Sequence, residues 1–305
     1  MRDIWVRLLT ICLGLVLAHT PAAAGEPVEL VSFNIRYGTA DDKENAWPHR
    51  REMVTDLLAE LDGDVVGLQE ALRFQLDQIG EALPGYVEIG AGRDDGATRG
   101  EYAPILVKTS RFTIDSCGTF WLSDTPDVVA STHWGNGITR VCTWARLIDK
   151  TSGDGLYVYN VHMDHRSQPS RERAAELIAA RIEGRAHPDE PVVVMGDLNA
   201  GESNPAVRYL RGELARASSA EAWPDHTPPA SPALVDTFRA IHPDAEEVGT
   251  FSGFRPGATT GEKIDHVLVS PGVAVIDASI DRTSREGRYP SDHFAVIATV
   301  QLAQE

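Results

Sequence analysis

The chain has 305 residues, 42% of them hydrophobic and 24% charged, the composition of a globular protein long enough to bury a substantial core. Its formal net charge is −17, from 28 basic and 45 acidic residues. Proteins that ride along duplex DNA neutralise phosphates with Lys and Arg, so the acidic total argues against that class, while leaving room for a local basic pocket or a bound cation.

Residues 1–24 read as an export signal and not as part of the fold. Arg2 and Arg7 make a basic start, Leu8 to Ala18 is an apolar run too short to span a bilayer comfortably, and Ala22, Ala23 and Ala24 form a small-residue cleavage pattern. Cleavage after Ala24 is expected, which makes the protein secreted or periplasmic and leaves no stable membrane span. The alternative, an uncleaved anchor helix, is disfavoured by the short apolar run. Residues 25–305 are read as one domain, expected to be monomeric.

Val28 to Ile35 has the pattern of a strand, and Pro48 to Leu61 that of a helix, with Met53, Leu57, Leu58 and Leu61 at helical spacing. Val65 to Leu68 is a short buried strand, and Phe74 to Leu83 a helix with Leu76, Ile79 and Leu83 on one face. Tyr102 to Leu147 reads as strands and turns, and Leu156 to Val161 as a strand. Ser170 caps a predicted helix that runs through Ile182 and ends at Gly184. Val192 to Met195 is a strand, Pro205 to Leu214 a short helix, and Ala217 to Pro232 a loop rich in Ser, Pro and Ala. Strands close the chain at Lys263 to Val269, Val273 to Ile280 and Phe294 to Leu302. Mixed strands and helices with a strand-only middle fit an α/β (α+β) layered domain. Cys117 and Cys142 both lie in strand-like stretches; an oxidising compartment permits a disulfide between them, and two free thiols fit equally well.

Position is the informative feature of the polar residues. "LVSFN" ends at Asn34, "VVGLQE" at Glu70, "YVYNVH" at His162 and "VVVMGDLN" at Asp197 and Asn199, while Asp265 with His266, and Asp292 with His293, open the last strands. A lone acidic residue at a strand edge is usually a solvated loop residue. If all these ends meet on one rim, they form a polar pocket on a rigid scaffold. Carboxylates with Asn and no Cys suit a hard divalent cation, Mg²⁺ or Mn²⁺, with Glu70 the leading ligand and Asn34 and Asp292 beside it. Three histidines keep zinc as a weaker alternative. His beside carboxylate suits proton transfer, and Asn199 can donate to an oxyanion, so the set suits attack of water on a phosphate ester. The G-x-S-x-G elbow, the G-x-x-x-x-G-K-[ST] loop and H-E-x-x-H are all absent, and "GAGRDDG" lacks dinucleotide-binding spacing.

The ordered set "SFN", "GLQE", "NVHMDH", "GDLNA", "KIDHVLVS" and "SDH" resembles the endonuclease/exonuclease/phosphatase superfamily of metal-dependent phosphohydrolases, across nearly all of the chain after residue 24. The resemblance implies a four-layer sandwich, two mixed sheets face to face with helices outside, and an active site at one rim. It implies Asn34, Glu70 and Asp292 as metal-site residues, and Asp197 as the group that orients or deprotonates the attacking water. Asn199 is similar to the residue that binds the scissile phosphate and positions that Asp. His293 is similar to the phosphate-contacting or general-base histidine, with Asp265 its orienting partner, and His162 to a phosphate-stabilising histidine. Tyr102, in "GEYAPIL", and Arg140, in "TRVCTWARL", resemble phosphate-side contacts. Asp164 and His165 extend the His162 segment; Asp164 either steers His162, approaches the metal or stabilises its own loop. His266 is read as a wall residue.

The expected function is therefore an exported phosphodiesterase or phosphatase. A secreted endonuclease and a sphingomyelinase-type lipid phosphodiesterase are alternatives. The acidic total and the lack of a basic tract count against nucleic acid, and no apolar hairpin for membrane insertion is evident. A catalytically silent binding protein on the same scaffold is the non-enzyme alternative, which the loss of a core residue would favour; every residue of the set is present. Specificity is expected to lie in the loops Gly90 to Glu101, Ser123 to Thr139 and Ala217 to Pro232.

Overall fold

The apolar runs of the sequence become strands covered on both faces in a computed structural model that describes residues 25–217 and 229–302. The segment read as an export signal, 1–24, and most of the loop read at 217–232 lie outside the described residues. In chain order the elements are β1 (Val28–Asn34), α1 (Trp47–Leu61), β2 (Val65–Gln69), α2 (Arg73–Ala82), β3 (Tyr86–Ile89), β4 (Ile105–Lys108), β5 (Phe112–Trp121), β6 (Val141–Asp149), β7 (Gly155–His162), α3 (Gln168–Glu183), β8 (Val192–Asp197), α4 (Pro205–Leu210), β9 (Val235–Asp236), α5 (Thr237–Ile241), β10 (Asp265–Val269), β11 (Ala274–Asp281) and β12 (Ala295–Gln301).

They form two six-stranded sheets, ordered β11-β12-β1-β2-β4-β3 and β5-β6-β7-β8-β10-β9. Each is mixed: β1 and β2 run parallel across α1, and β7 and β8 run parallel across α3, while the other pairs are antiparallel. Successive side chains of a strand point to opposite faces. Val28 and Leu30 of β1, Val158 of β7, Val193 and Met195 of β8 and Val296 and Ala298 of β12 meet between the sheets. Val31 and Phe33 of β1 turn outward onto Val54, Leu58 and Leu76 of α1 and α2. Tyr159 of β7 and Val192 and Val194 of β8 turn outward onto Ala174, Leu177 and Ile178 of α3. The result is the expected four-layer sandwich, and the double coverage is why its central strands read as continuous apolar runs.

One polar network crosses the apolar middle. Asn160 of β7 donates through Nδ2 to the carbonyls of Leu68 and Pro104, and its Oδ1 accepts from Gln69 Nε2 at 2.7 Å. Gly67 makes room for it, since a Cβ there would lie 2.7 Å from Asn160 Oδ1.

Several local expectations shift. Helix α3 begins one turn early, with Ser167 as its cap: the Ser167 side chain accepts from Ser170 N, and Gly184 ends the helix as expected. Helix α4 stops at Leu210, short of Leu214. Strand β3 and the five-residue α5 fall in segments without a clear periodic signal. Cys117 and Cys142 are free thiols. Cys142 sits opposite Phe120 in the β5–β6 ladder, so Cys117, three residues before Phe120 along the strand, faces the other side of the sheet. The register alone forbids the bridge.

Candidate active site

The topology gathers the polar strand ends. Parallel pairing puts the ends of β1 and β2 side by side, Asn34 opposite Gln69, with Glu70 next along the chain. It likewise sets His162 opposite Asp197 at the ends of β7 and β8. Antiparallel β10 starts with Asp265 opposite Asp197, and β12 starts just after Asp292 and His293. Ends of both sheets thus line one cleft of about 550 Å³, whose walls include Glu70, His162, Asp197, Asn199, Asp292 and His293.

Two hydrogen bonds join the sheets across this rim. Asn34 Nδ2 donates to Asp197 Oδ2 at 3.0 Å and to Glu70 Oε1 at 3.2 Å. His293 Nδ1 bonds Asp265 Oδ2 at 2.9 Å, and its Nε2 lies 3.8 Å from Asp197 Oδ2. A carboxylate accepts, so Nδ1 carries the proton and Nε2 is the nitrogen turned toward Asp197. Asp197 Oδ1 accepts from Asn199 N at 2.9 Å, and Asn199 Nδ2 donates to Met163 O. His162 Nε2 is 3.5 Å from Asp197 Oδ2.

Electrostatics push these groups apart. Burial, and then Asp265, raise the Asp197 carboxyl to about 7. Burial opposes charge on His293, but Asp265 and Asp197 outweigh it and hold the ring well above the ordinary histidine value. His162 goes the other way: burial, then Arg140 and Arg93, lower it well below. Asp292 is raised by burial and by Glu70, against the pull of His293 and Arg36. One histidine is thus held charged and the other neutral within reach of a carboxyl poised near neutrality, the separation that acid–base chemistry uses.

Glu70 and Asn199 hold left-handed backbone angles, φ 60° and 47°, which side chains other than glycine adopt only at a cost of about 1–3 kcal/mol. Both are aimed by that backbone into the rim. Glu70 Oε2 also accepts from Tyr37 N at 3.0 Å. Arg50 supports the same region from beneath, donating to the carbonyls of Asn45, Ile35, Arg36 and Pro290 and so tying the segment after Asn34 to the one before Asp292.

Other expected residues fall as follows. Arg140 is buried in the cleft wall, its Nη1 3.1 Å from both ring nitrogens of His162. Tyr102 is buried beside the cleft and does not line it; its hydroxyl donates to Ala97 O at 2.6 Å, inside the Gly90–Glu101 loop. Its neighbour Glu101 lines the cleft instead, paired to Arg93. Asp164 Oδ1 accepts from Arg166 N and Ser167 N, so it stabilises its own loop. His266 contacts Lys263 Nζ at 2.7 Å and Ala200 O at 3.0 Å, a wall role that braces the segment after Asn199. Arg36 was not singled out in the sequence: its guanidinium, bonded to Asp42, lies 4.0 Å from Glu70 and 3.7 Å from Asp292. A basic residue two positions after Asn34, amid gathering carboxylates, was the available signal. Phe251, edge-on to the His293 ring at 5.0 Å, carried none.

The donor set fits a divalent cation. Asn34, Glu70 and Asp292 bring hard oxygen donors together, and Glu70 still pushes the Asp292 carboxyl up although Arg36 stands 4.0 Å and 3.7 Å from the two carboxylates. Asp197, Asp265 and His293 also bring ligand atoms within 4.8 Å of one another, close enough to hold a cation.

Two mixed sheets face to face, with strand-end carboxylates and histidines converging on one cleft, define a hydrolase scaffold of one kind: the chain belongs to the Endonuclease/Exonuclease/phosphatase family, whose sequence pattern matches residues 31–293. An endonuclease/exonuclease/phosphatase of Bacteroides vulgatus is 31% identical, with a TM-score of 0.80, covering 91% of this chain and 100% of that one. A mannosyl-6-phosphatase of Bacteroides thetaiotaomicron is also 31% identical, with a TM-score of 0.76 and the same coverage. Nocturnin of Drosophila melanogaster is 24% identical over 321 residues, 91% of this chain and 47% of that protein. The chain spans 60% and 47% of the length of the two curated relatives it matches. The family is one of nucleases and phosphatases, and a phosphatase is among the similar proteins.

Proposed function

We propose that this protein is an exported, Mg²⁺- or Mn²⁺-dependent hydrolase that cleaves a small phosphate monoester by attack of water on phosphorus. The observation that carries the reading is the Asp265–His293–Asp197 chain sharing a rim with Asn34, Glu70 and Asp292. Glu70 and Asp292, with Asn34, would hold the cation. When bound, it supplies positive charge to the phosphate oxygens.

The chain's own residues supply the rest. Asp197, its oxygens fixed by Asn34 and Asn199, orients water and accepts its proton, for which a carboxyl poised near neutrality is suited. His293, kept charged by Asp265, presents Nε2 to the phosphate and stabilises the charge that develops there. His162, kept neutral, and Arg140 donate to the phosphate from the opposite wall. A small monoester is favoured over a nucleic-acid strand by the net charge of −17, and by likeness over the full length to a mannosyl-6-phosphatase. Export rests on the signal pattern at 1–24; a reporter fused to residues 1–30 that stays in the cytoplasm would refute it.

A metal-supplemented panel of mono- and diesters, including sugar phosphates, oligonucleotides and sphingomyelin, tests the reading. Release of phosphate that chelator abolishes is expected. Undiminished turnover after Glu70→Ala or His293→Ala, in folded protein, would overturn the assignment.

A further inference from the structure

Beyond the phosphate pocket, the cleft wall continues from His162 and Arg140 to two groups that the reaction above does not use, His165 and Arg166. Arg140 turns Nη1 to His162 and Nη2 to His165 Nδ1 at 2.9 Å, and Arg166 Nε reaches His165 Nε2 at 3.1 Å. All four residues line the same cleft, with His165 and Arg166 exposed at its mouth. A neutral imidazole has one accepting nitrogen, so His165, faced by a guanidinium at each nitrogen, opposes one N–H with another.

The carboxylates on this wall, Glu101 and Asp164, are already engaged, Glu101 by Arg93 and one oxygen of Asp164 by backbone amides. Arg140 is almost fully buried, and its Nε has no hydrogen-bond partner. The nearest carboxylate oxygen to that atom, Asp164 Oδ2, is 3.9 Å away, and the other Asp164 oxygen is occupied by backbone amides. Arg166 has no carboxylate within ion-pair distance among the described residues. In a protein with an excess of 17 negative charges, Arg166 at the cleft mouth is left without such a partner. Such a group of donors is completed by an anion.

We propose that His165, Arg166 and the outer edge of Arg140 form a second anion subsite, so that the substrate is a small phosphate ester carrying a further phosphate group. This rests on the phosphoester reading and narrows its substrate class. The second group would sit at the mouth, with the scissile phosphate inside against His162 and His293.

Hydrolysis of glucose 6-phosphate and glucose 1,6-bisphosphate by the Mg²⁺-loaded protein tests the subsite. The wild type is expected to show a lower KM for the bisphosphate, and Arg166→Ala to reduce that preference about tenfold, as expected for loss of a charge-assisted hydrogen bond. Arg166→Lys, which keeps charge but not the planar fork, should restore part of it. Equal KM values in the wild type, or a preference untouched by Arg166→Ala, would overturn the proposal, as would an effect seen only with a single-stranded oligonucleotide. If the wild type hydrolyses no phosphoester, the reading of the reaction fails, and calorimetry with glucose 1,6-bisphosphate still decides the subsite: binding weakened by Arg166→Ala supports it, and binding that is absent or unchanged refutes it.

Discussion

Replacing Asp265 by Asn isolates one charge. Asp265 is fully buried, and its Oδ2 lies 2.9 Å from His293 Nδ1. An Asn carbonyl still accepts from that N–H, so the ring keeps its orientation and only the Coulomb attraction is lost. Opposite charges about 4 Å apart attract by about 4 kcal/mol at an effective dielectric of about 20. Losing that attraction lowers the His293 value. In the wild type the ring is held well above the ordinary value despite burial. Its contribution to stability is therefore fully present below the unfolded value of about 6.5 and is lost as pH rises through the folded one. The Asn variant should lose that contribution at neutral pH, and hydrolysis should fall by about 10²–10⁴-fold, as for other positioned proton-transfer groups. An NMR titration of the His293 ring in metal-free protein reads the shift directly, beside the rate. An unmoved ring titration, or wild-type turnover, would refute the reasoning.

Glu70→Gln removes a charged oxygen donor from the proposed cation site, so the rise in melting temperature on adding Mg²⁺ or Mn²⁺ should vanish and hydrolysis fall at least about 100-fold; undiminished metal stabilisation places the cation elsewhere. Asp236→Asn leaves buried Lys263 without its 2.7 Å carboxylate partner and should cost about 3–5 kcal/mol in urea unfolding, part of it recovered when Lys263→Met is added. Burial opposes charge on Asp236, but His266 and Lys263 hold it well below the carboxylate range, so its stabilisation is present above about pH 4 and is lost as pH falls toward the folded value; the Asn variant should lack that acid limb. In protein lacking residues 1–24, thiol reagent should label Cys117 in the native state and Cys142 only in denaturant, with no effect of reductant on melting; a native disulfide would contradict the strand register.

What could be read in the sequence follows from periodicity and what could not follows from contact. Strands β1, β2, β7, β8, β10 and β12 are legible because each ends or begins in a residue that a hydrophobic core would not choose, and their central residues are apolar on both faces. Strand β3, partly exposed, and the single turn of α5 carry no such contrast. The start of α3 was displaced because Ser167 and Ser170 both suit a cap, and only the bond between them distinguishes their roles. The site residues taken from strand ends lie around one cleft, whereas Tyr102 was placed by its neighbours in sequence; alternation along the chain turns Glu101 into the cleft and Tyr102 away from it. Arg36, Glu101 and Arg166 sit in loops whose course no local pattern encodes.

The arrangement also explains why chemistry sits at this rim and not within either sheet. Each half of the chain contributes one parallel crossover, β1–α1–β2 and β7–α3–β8, and one antiparallel strand beside it, β12 and β10. The first sheet delivers Asn34, Glu70 and Asp292, and the second delivers His162, Asp197 and Asp265. Neither set is complete alone. Asn34 reaches across to Asp197 and His293 reaches across to Asp265, so both inter-sheet hydrogen bonds of the rim involve groups assigned to the reaction. Below them the Gln69–Asn160 pair locks the sheets again, and a lateral slip would cost the buried Asn160 amide its partners on the other sheet. The packing of one sheet on the other therefore sets the distance between the carboxylates proposed to hold the cation and the pair proposed to transfer protons, and the precision of the site is inherited from the core beneath it.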